Sequence, residues 1–538
     1  MSTKSILNPT AARTFSLPHW FMAIAIMVLL ASGGVLTGVG LVELSKMEPG
    51  AWRWTQDYLV IFTLLVPAIA LVGLWRGPRT AVLIVGTLLA LGLGATVPVA
   101  AVVFLSLSTF AAGRLLVRAS SVALTDVLLI GIVAVGTVLS ILVHLPINNA
   151  GSWGLMFALP LVFGWRHLQR VWPAAAARES LDPHLYLLHC AVGAAALLHG
   201  LVALMPEVGH DALAMHLFVP AHIAHHQAWN FDAANYVWAV MPMLVDWFYT
   251  AGYLFAGETA ARLVNVASIM LLAILVHRSA LWAGANRVGA GWAVLLLLVT
   301  PLTFLESSSL FIEGMWTALV LGGTLALLRL LTAPNTAPHT AHAELMLASV
   351  MLGGAVAVKA VTFIILPVLA LLLLARMRRW FVRDLVPVAG LALLMFVAVG
   401  AIPYTRAYWL TGNPIFPFFN GYFQSPLYPL VNFSPPAHFE LGFAWDTLYR
   451  ITFDSSRYLD ATVGSAGFQW LLLVVPGLLV LALARHRRSL LLGVLVIGWM
   501  WLTFGQTAYL RYVLPSFALA SALVAVMLTV TEFSGRWA

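Results

Sequence analysis

The chain is predicted to be an all-α, polytopic membrane protein, and three observations predict it. It is 62% hydrophobic and 9% charged over 538 residues, too few charges to cover a water-soluble surface of that size. Apolar runs of about 18 residues or more recur along its length, each able to cross ~30 Å of hydrocarbon as a helix. Its basic residues alternate in density between successive connections, as they do in chains threaded through a bilayer.

The runs resolve into about sixteen spans. Seven lie at about 18–41, 57–75, 80–95, 97–113, 122–143, 152–166 and 185–206. Nine more lie at about 256–276, 288–304, 314–331, 344–358, 360–375, 385–403, 466–484, 489–505 and 513–532. The short basic N-terminus is followed by a long apolar run without an A-x-A cleavage site, which reads as a retained first helix. Cys190, the only cysteine, lies inside an apolar run, so an intrachain disulfide is excluded and the residue reads as a small packed hydrophobe. Residues 333–343 (APNTAPHTAHA) read as a polar linker. The organisation that follows is an N-terminal transmembrane block at 1–180, a core at 181–403 with an outer loop at 207–255, and a C-terminal part at 404–538 with a large aromatic loop.

Placing the N-terminus in the cytoplasm and alternating puts about 20 of the 28 basic residues inside. The loops 207–255 and 404–465 then share the outer face with the turns near Glu313, Lys359 and Arg511. The net charge of +8 is thereby explained by topology and does not indicate nucleic-acid binding. No P-loop or dinucleotide fingerprint occurs on the short inner connections, which disfavours nucleotide chemistry there.

The loop 207–255 opens with Gly209-His210-Asp211-Ala212-Leu213. A carboxylate at a membrane–water boundary is costly unless it is paired or used. From Asp211 to about Gln227 the pattern suits an amphipathic helix lying along the interface, with Asp211 at its N-cap or first turn. Asp211 therefore reads either as a helix cap or as a general base aimed at a hydroxyl. Five histidines fall between 210 and 226, and His222 and His226 have i,i+4 spacing, which leaves room for a divalent metal. No H-E-x-x-H or comparable ligand motif is present, so no metal ligand is assigned.

Five segments, in order, carry a family resemblance. DALAMHLFVPAHIAHHQAWNF resembles the D-A-x-x-Y-H-L-x-x-P loop of bacterial GT-C type membrane glycosyltransferases, the superfamily of protein O-mannosyltransferases and aminoarabinose lipid A transferases. ESSSLFIEGMWTALVL resembles a later helix start where those proteins carry an acid, here Glu313. GGAVAVKAVTF resembles their G-x-x-x-x-x-K-Y-T element, with Lys359 as the base and Ala360 in place of the aromatic. LTGNPIFPFFNGYFQSP resembles their T-G-N-P loop and contains Asn413; AYLRYVLPSFAL resembles their R-Y-x-L-P element, giving Arg511 and Tyr512. The resemblance covers about residues 185–532, with the acid-bearing loop after about the seventh span where the superfamily has it after the first, and with Ala212 where a second acid is common.

The resemblance implies a GT-C-like core with outer-face amphipathic helices in a bacterial inner membrane. It implies transfer of a sugar, with inversion, from a polyprenyl-phosphate-linked donor to an acceptor hydroxyl on a glycan, lipid or protein. Asp211 and Glu313 are then the candidate catalytic acids, with Glu207 as an alternative. Lys359, Arg511 and Arg406 are candidates for the donor phosphate, or anchors reaching lipid headgroups. His210, His216, Asn413 and Tyr512 are candidate substrate contacts. No cofactor is expected. A glycan polymerase or ligase, which uses arginines such as Arg406, Arg450 and Arg457, and a lipid or solute transporter are the competing readings.

Overall fold

In hydrocarbon an unpartnered backbone N–H or C=O costs several kcal/mol, so an apolar chain satisfies its own backbone as helix. The computed structural model describes residues 19–47, 49–119, 121–175, 182–332, 338–377, 382–433, 442–459, 464–483 and 486–534, and every regular element among them is helical. Before the first long loop come α1 (His19–Met47), α2 (Pro49–Arg76), α3 (Pro78–Gly92), α4 (Thr96–Leu116), α5 (Leu124–Leu142), α6 (Ala150–Ala175) and α7 (Pro183–Val202). The loop carries α8 (Phe218–His226) and leads to α9 (Asp246–Ala283), α10 (Arg287–Leu298), α11 (Pro301–Ser308), α12 (Glu313–Thr332), α13 (Pro338–Val358), α14 (Leu366–Met377), α15 (Val382–Gly400) and α16 (Ile402–Thr411). The short α17 (Asn420–Phe423) and α18 (Thr447–Phe453) precede α19 (Phe468–Leu483), α20 (Arg487–Phe504) and α21 (Leu514–Ser534).

Among the described residues nine helices are long and apolar enough to cross a membrane, and eleven if two bent pairs each count as one span. The count of about sixteen is not reached. One reason is bending: α10 and α11 turn by 59° at Pro301, whose missing N–H cannot continue the ladder, and α15 and α16 turn by 51°. Another is length, because stretches such as Pro78–Gly92, Ala360–Leu374 and Phe468–Ala482 are apolar but short. Of the expected linker 333–343, residues 338–343 form the first turns of α13, for which Pro338 is a favourable first residue, and 333–337 lie outside the described residues. The loop expected at 207–255 ends at 245, because α9 starts at Asp246 and is broken at Ala256–Gly257, where Gly257 adopts φ 72°.

The inner layer is built from α9, α12 and α21: their apolar windows are 78%, 89% and 89% buried, against 17% in α2. The N-terminal block joins that core. Its α4 packs on α9, α2 and α3 pack on α7, and α1 packs on α19.

Two ion clusters mark opposite ends of the antiparallel pair α12 and α13. At one end Asp126 of α5 takes Arg278 of α9 through both oxygens and Arg329 of α12 at 3.0 Å. Arg329 also grips Glu344 of α13 with two bonds of 2.9 and 2.8 Å. The other end carries Glu313 and Lys359. From Glu313 to Arg329 the helix rises about 24 Å at 1.5 Å per residue, so the charges bracket an apolar stretch close to the thickness of a hydrocarbon core.

Candidate active site

The turn that delivers Glu313 is held from several directions. Asn265 of α9 donates to the carbonyls of Glu306 and Ser309 at 2.6 and 2.8 Å, Arg262 donates to the Ser308 carbonyl, and the Tyr249 hydroxyl donates to the Phe311 carbonyl. Glu207 joins this turn to the loop that delivers Asp211. Its carboxylate accepts from the backbone N–H groups of Val208, Gly209 and Leu310 at 3.0, 2.8 and 2.7 Å, and from the Ser309 hydroxyl at 2.9 Å. Arg262 lies 3.7 Å from the same carboxylate. Gly209 is required here, since a Cβ would meet the Ser309 Oγ at 2.2 Å. With its lone pairs taken up in this way, Glu207 braces the two loops.

The expected amphipathic helix from 211 to 227 forms in two pieces. Ala212–His216 makes a π-type turn, Phe218–His226 an α-helix, and Gln227 closes it in the left-handed region at φ 60°. Asp211 precedes the first turn but makes no capping bond. Its Oδ2 instead accepts from Arg511 Nη2 at 2.6 Å, and the side chain keeps 36% of its exposure. Arg511 is buried and presents its Nε to Glu313 Oε1 at 3.1 Å; Lys359 Nζ binds that same oxygen. Glu313 is fully buried, and its Oε2 has no hydrogen-bond partner among the described residues. The result is a chain of alternating charge, Asp211–Arg511–Glu313–Lys359, assembled from four separate segments.

Aromatic rings wall the two cations. Lys359 Nζ stands 3.9 Å over the Tyr512 ring, and Arg511 lies 4.8 Å over Phe311 and 5.1 Å over Tyr509. Trp316 Nε1 donates to Thr362 Oγ1 at 2.8 Å and Trp499 Nε1 to the Tyr512 carbonyl at 2.9 Å, which fixes those walls. Behind Asp211, His216 Nδ1 meets Asp246 Oδ1 at 2.6 Å with both side chains buried. The sequence reading did not include Asp246. Its one signal was a lone acid in an otherwise apolar run, MLVDWFYTAGYLF.

Of the residues expected to act, Asp211, Glu313, Lys359, Arg511, Tyr512 and His216 thus converge at one end of the helix bundle. Three stand differently. His210 is 93% exposed and only grazes Asp211 at 3.5 Å. Asn413 is buried and braces its own loop, donating to the Phe418 carbonyl at 2.9 Å and accepting from Ile415 N–H at 3.0 Å, so its amide serves the T-G-N-P turn and lies outside the charge chain. Arg406 lies outside the charge chain, with one bond of 3.2 Å to the Ala239 carbonyl. In the histidine cluster, His222 packs edge-on against Trp229 and Phe231 and lies with His226 at 4.3 Å between ring centroids, an aromatic packing role.

The loops after α7 and after α16 pack on each other: Phe416 is buried with Ala233 and Val240, and Trp238 touches Phe418 and Phe433. Trp409 and Tyr422 are largely exposed.

Burial pushes the Asp211 carboxyl upward, but the Arg511 guanidinium outweighs it and holds Asp211 below the usual carboxylate range. A depressed native pKa contributes stability above the unfolded value of about 3.9, and that stability is lost as pH falls through the native value. In Arg511→Gln the burial effect loses its main opponent. The stability gap between wild type and Arg511→Gln, measured as Tm in detergent, is therefore widest near neutral pH and narrows on acidification through the carboxylate range.

Comparison with known proteins finds no matching family model, no matching curated protein and no matching solved structure.

Proposed function

We propose that the chain is a GT-C type membrane glycosyltransferase that moves a sugar from a polyprenyl-phosphate donor to an acceptor hydroxyl, with inversion. On this reading it sits in a bacterial cytoplasmic membrane with its N-terminus inside and the Asp211 cluster on the outer face. The observation that carries it is the pairing of a partly exposed Asp211 with a buried Arg511 that also serves Glu313, beside Lys359. Such a transfer needs a base for the hydroxyl and cations for the departing phosphate, and both are adjacent here.

In the proposed step the acceptor oxygen attacks the anomeric carbon while the carbon–oxygen bond to phosphate breaks, and that electron pair leaves on the phosphate. The hydroxyl proton passes to Asp211. Arg511 links the two events: as it turns toward the phosphate, its hold on Asp211 weakens and the carboxylate becomes a stronger base. Glu313 keeps Lys359 and Arg511 charged and in place in a low-dielectric setting. The His216–Asp246 pair stands behind them as a buried polar support.

The polymerase or ligase reading loses its footing in the second loop, because Arg450 and Arg457 each pair with a carboxylate of the same loop, Asp446 and Asp454. The test is transfer of radiolabelled sugar from a polyprenyl-phosphate donor pool by membranes that contain the protein, against membranes that lack it. Protein-dependent label in an acceptor is the expected result. Movement of intact donor or solute across the bilayer without transfer would replace the reading with a transporter.

A further inference from the structure

Arg406 is the basic side chain that the charge chain leaves out. It lies on α16, just past the 51° bend, and is half-buried. Its Nη1 donates to the Ala239 carbonyl at 3.2 Å, and among the described residues no carboxylate pairs with it. The guanidinium lines a cavity with His144, Ser140, Trp229, Trp247 and Met243. The cavity has about 330 Å³ of unfilled space, its open mouth included.

A cation held against indole and thioether walls without a counter-ion has lost hydration and gained no ion pair. Other cations of the interior have counter-ions: Arg278 and Arg329 share Asp126, and Arg511 has Asp211 and Glu313, whereas Arg406 shares with the buried Arg114 the lack of a carboxylate partner among the described residues. The second polar group in the wall has the same character. His144 Nδ1 donates to the Trp229 carbonyl at 2.6 Å, which leaves Nε2 for the cavity side. Burial, with the Arg406 charge adding to it, lowers the His144 pKa to about 4, so the empty cavity holds one positive charge, not two. Ala357 of α13 forms part of the lining, and Lys359, two residues on, binds Glu313. The cavity and the charge chain therefore flank the same helix end.

We propose that the Arg406 cavity is a second anion site that takes a phosphate-class oxyanion, separate from the Asp211–Arg511–Glu313–Lys359 cluster. The planar guanidinium fork suits two oxygens of one phosphate. The His144 ring lies in the same wall, and an arriving anion offsets the smaller, Arg406 part of what keeps it neutral. The phosphate belongs either to a bilayer lipid headgroup or to a soluble phosphate compound. The inference does not depend on sugar transfer.

The test uses the full chain in two kinds of nanodisc. In phosphatidylcholine discs, Tm is followed against inorganic phosphate, with chloride at matched ionic strength as the control. In a second set, phosphatidylglycerol replaces part of the lipid and no phosphate is added. Each arm compares wild type, Arg406→Gln and Arg406→Lys, and repeats the comparison in an Arg511→Gln background to separate the two cationic sites. The expected result is a stabilisation in at least one arm that Arg406→Gln removes and that persists in the Arg511→Gln background. Arg406→Lys, which keeps the charge and loses the fork, binds about ten-fold more weakly and carries the test should the glutamine variant fold poorly. A response confined to the phosphate arm assigns a soluble ligand, and one confined to the phosphatidylglycerol arm assigns a headgroup. If no part of either response depends on Arg406, or wild type responds to neither, the site is overturned.

Discussion

If the chain catalyses the proposed transfer, Asp211→Asn lowers it by about 10²–10⁴-fold and leaves the abundance of the folded protein close to that of wild type. The asparagine oxygen still accepts the Arg511 Nη2 bond that Asp211 Oδ2 accepts at 2.6 Å, so the loop keeps its anchor. Arg511 does not become an isolated buried cation, because its Nε faces Glu313 at 3.1 Å. What the substitution removes is the group that receives a proton. The measurement is transfer from a polyprenyl-phosphate donor pool by membranes matched for expression, with donor levels verified. Unchanged transfer would leave Asp211 as no more than a counter-ion for Arg511 and would remove the central support of the proposed reaction. Glu207→Gln makes the useful contrast. Its amide would turn a donor toward a neighbourhood that already offers three backbone N–H groups and the Ser309 hydroxyl, so abundance and transfer fall together.

The helical class and most of the charge chain were legible for one physical reason. In a chain this apolar each acid or base near a helix end is costly, so few exist and those that do mark a purpose. Asp211, Lys359 and Arg511 stood out separately on that ground and Glu313 through the resemblance of its segment, and their common helix ends made a meeting foreseeable. Their pairing was not, because it depends on which oxygen each cation reaches across a fold. Asp246 was missed because the span was expected to begin at 256, where Gly257 breaks the helix, whereas the helix runs back to Asp246 and sets it against His216. Asn413 was expected among the substrate contacts, and its amide closes its own turn. A buried amide that closes its own turn and one that faces a ligand look alike in sequence, and only the Phe418 and Ile415 bonds distinguish them. The count of about sixteen is not matched among the described residues because hydrophobicity reports neither length nor bend: Pro78–Gly92, Ala360–Leu374 and Phe468–Ala482 are apolar but short, and the apolar run of α10 and α11 turns by 59° within what read as one span.

The second large effect separates architecture from chemistry within the charge chain. Glu313 is buried against Lys359 and Arg511, so Glu313→Gln strands two cations that retain only Asp211 between them. Breaking a buried pair from one side costs about 3–5 kcal/mol. Lys359→Met costs less, since Glu313 keeps Arg511 and the methionine fills the space between Trp316 and Tyr512 where the ammonium stood. The double variant Glu313→Gln/Lys359→Met restores the charge balance, and its Tm returns most of the way to that of Lys359→Met alone, a coupling well outside additivity. Transfer does not return with it. The double variant lacks the ammonium that in the proposed reaction meets the departing phosphate, and in the interior a positioned cation contributes far more than in water. Tm in detergent and donor-to-acceptor transfer, measured on all three variants, therefore move apart: stability recovers in the double variant while activity stays low. If both recovered together, Glu313 and Lys359 would be a structural pair alone, and the departing phosphate would have to be met by Arg511 without them.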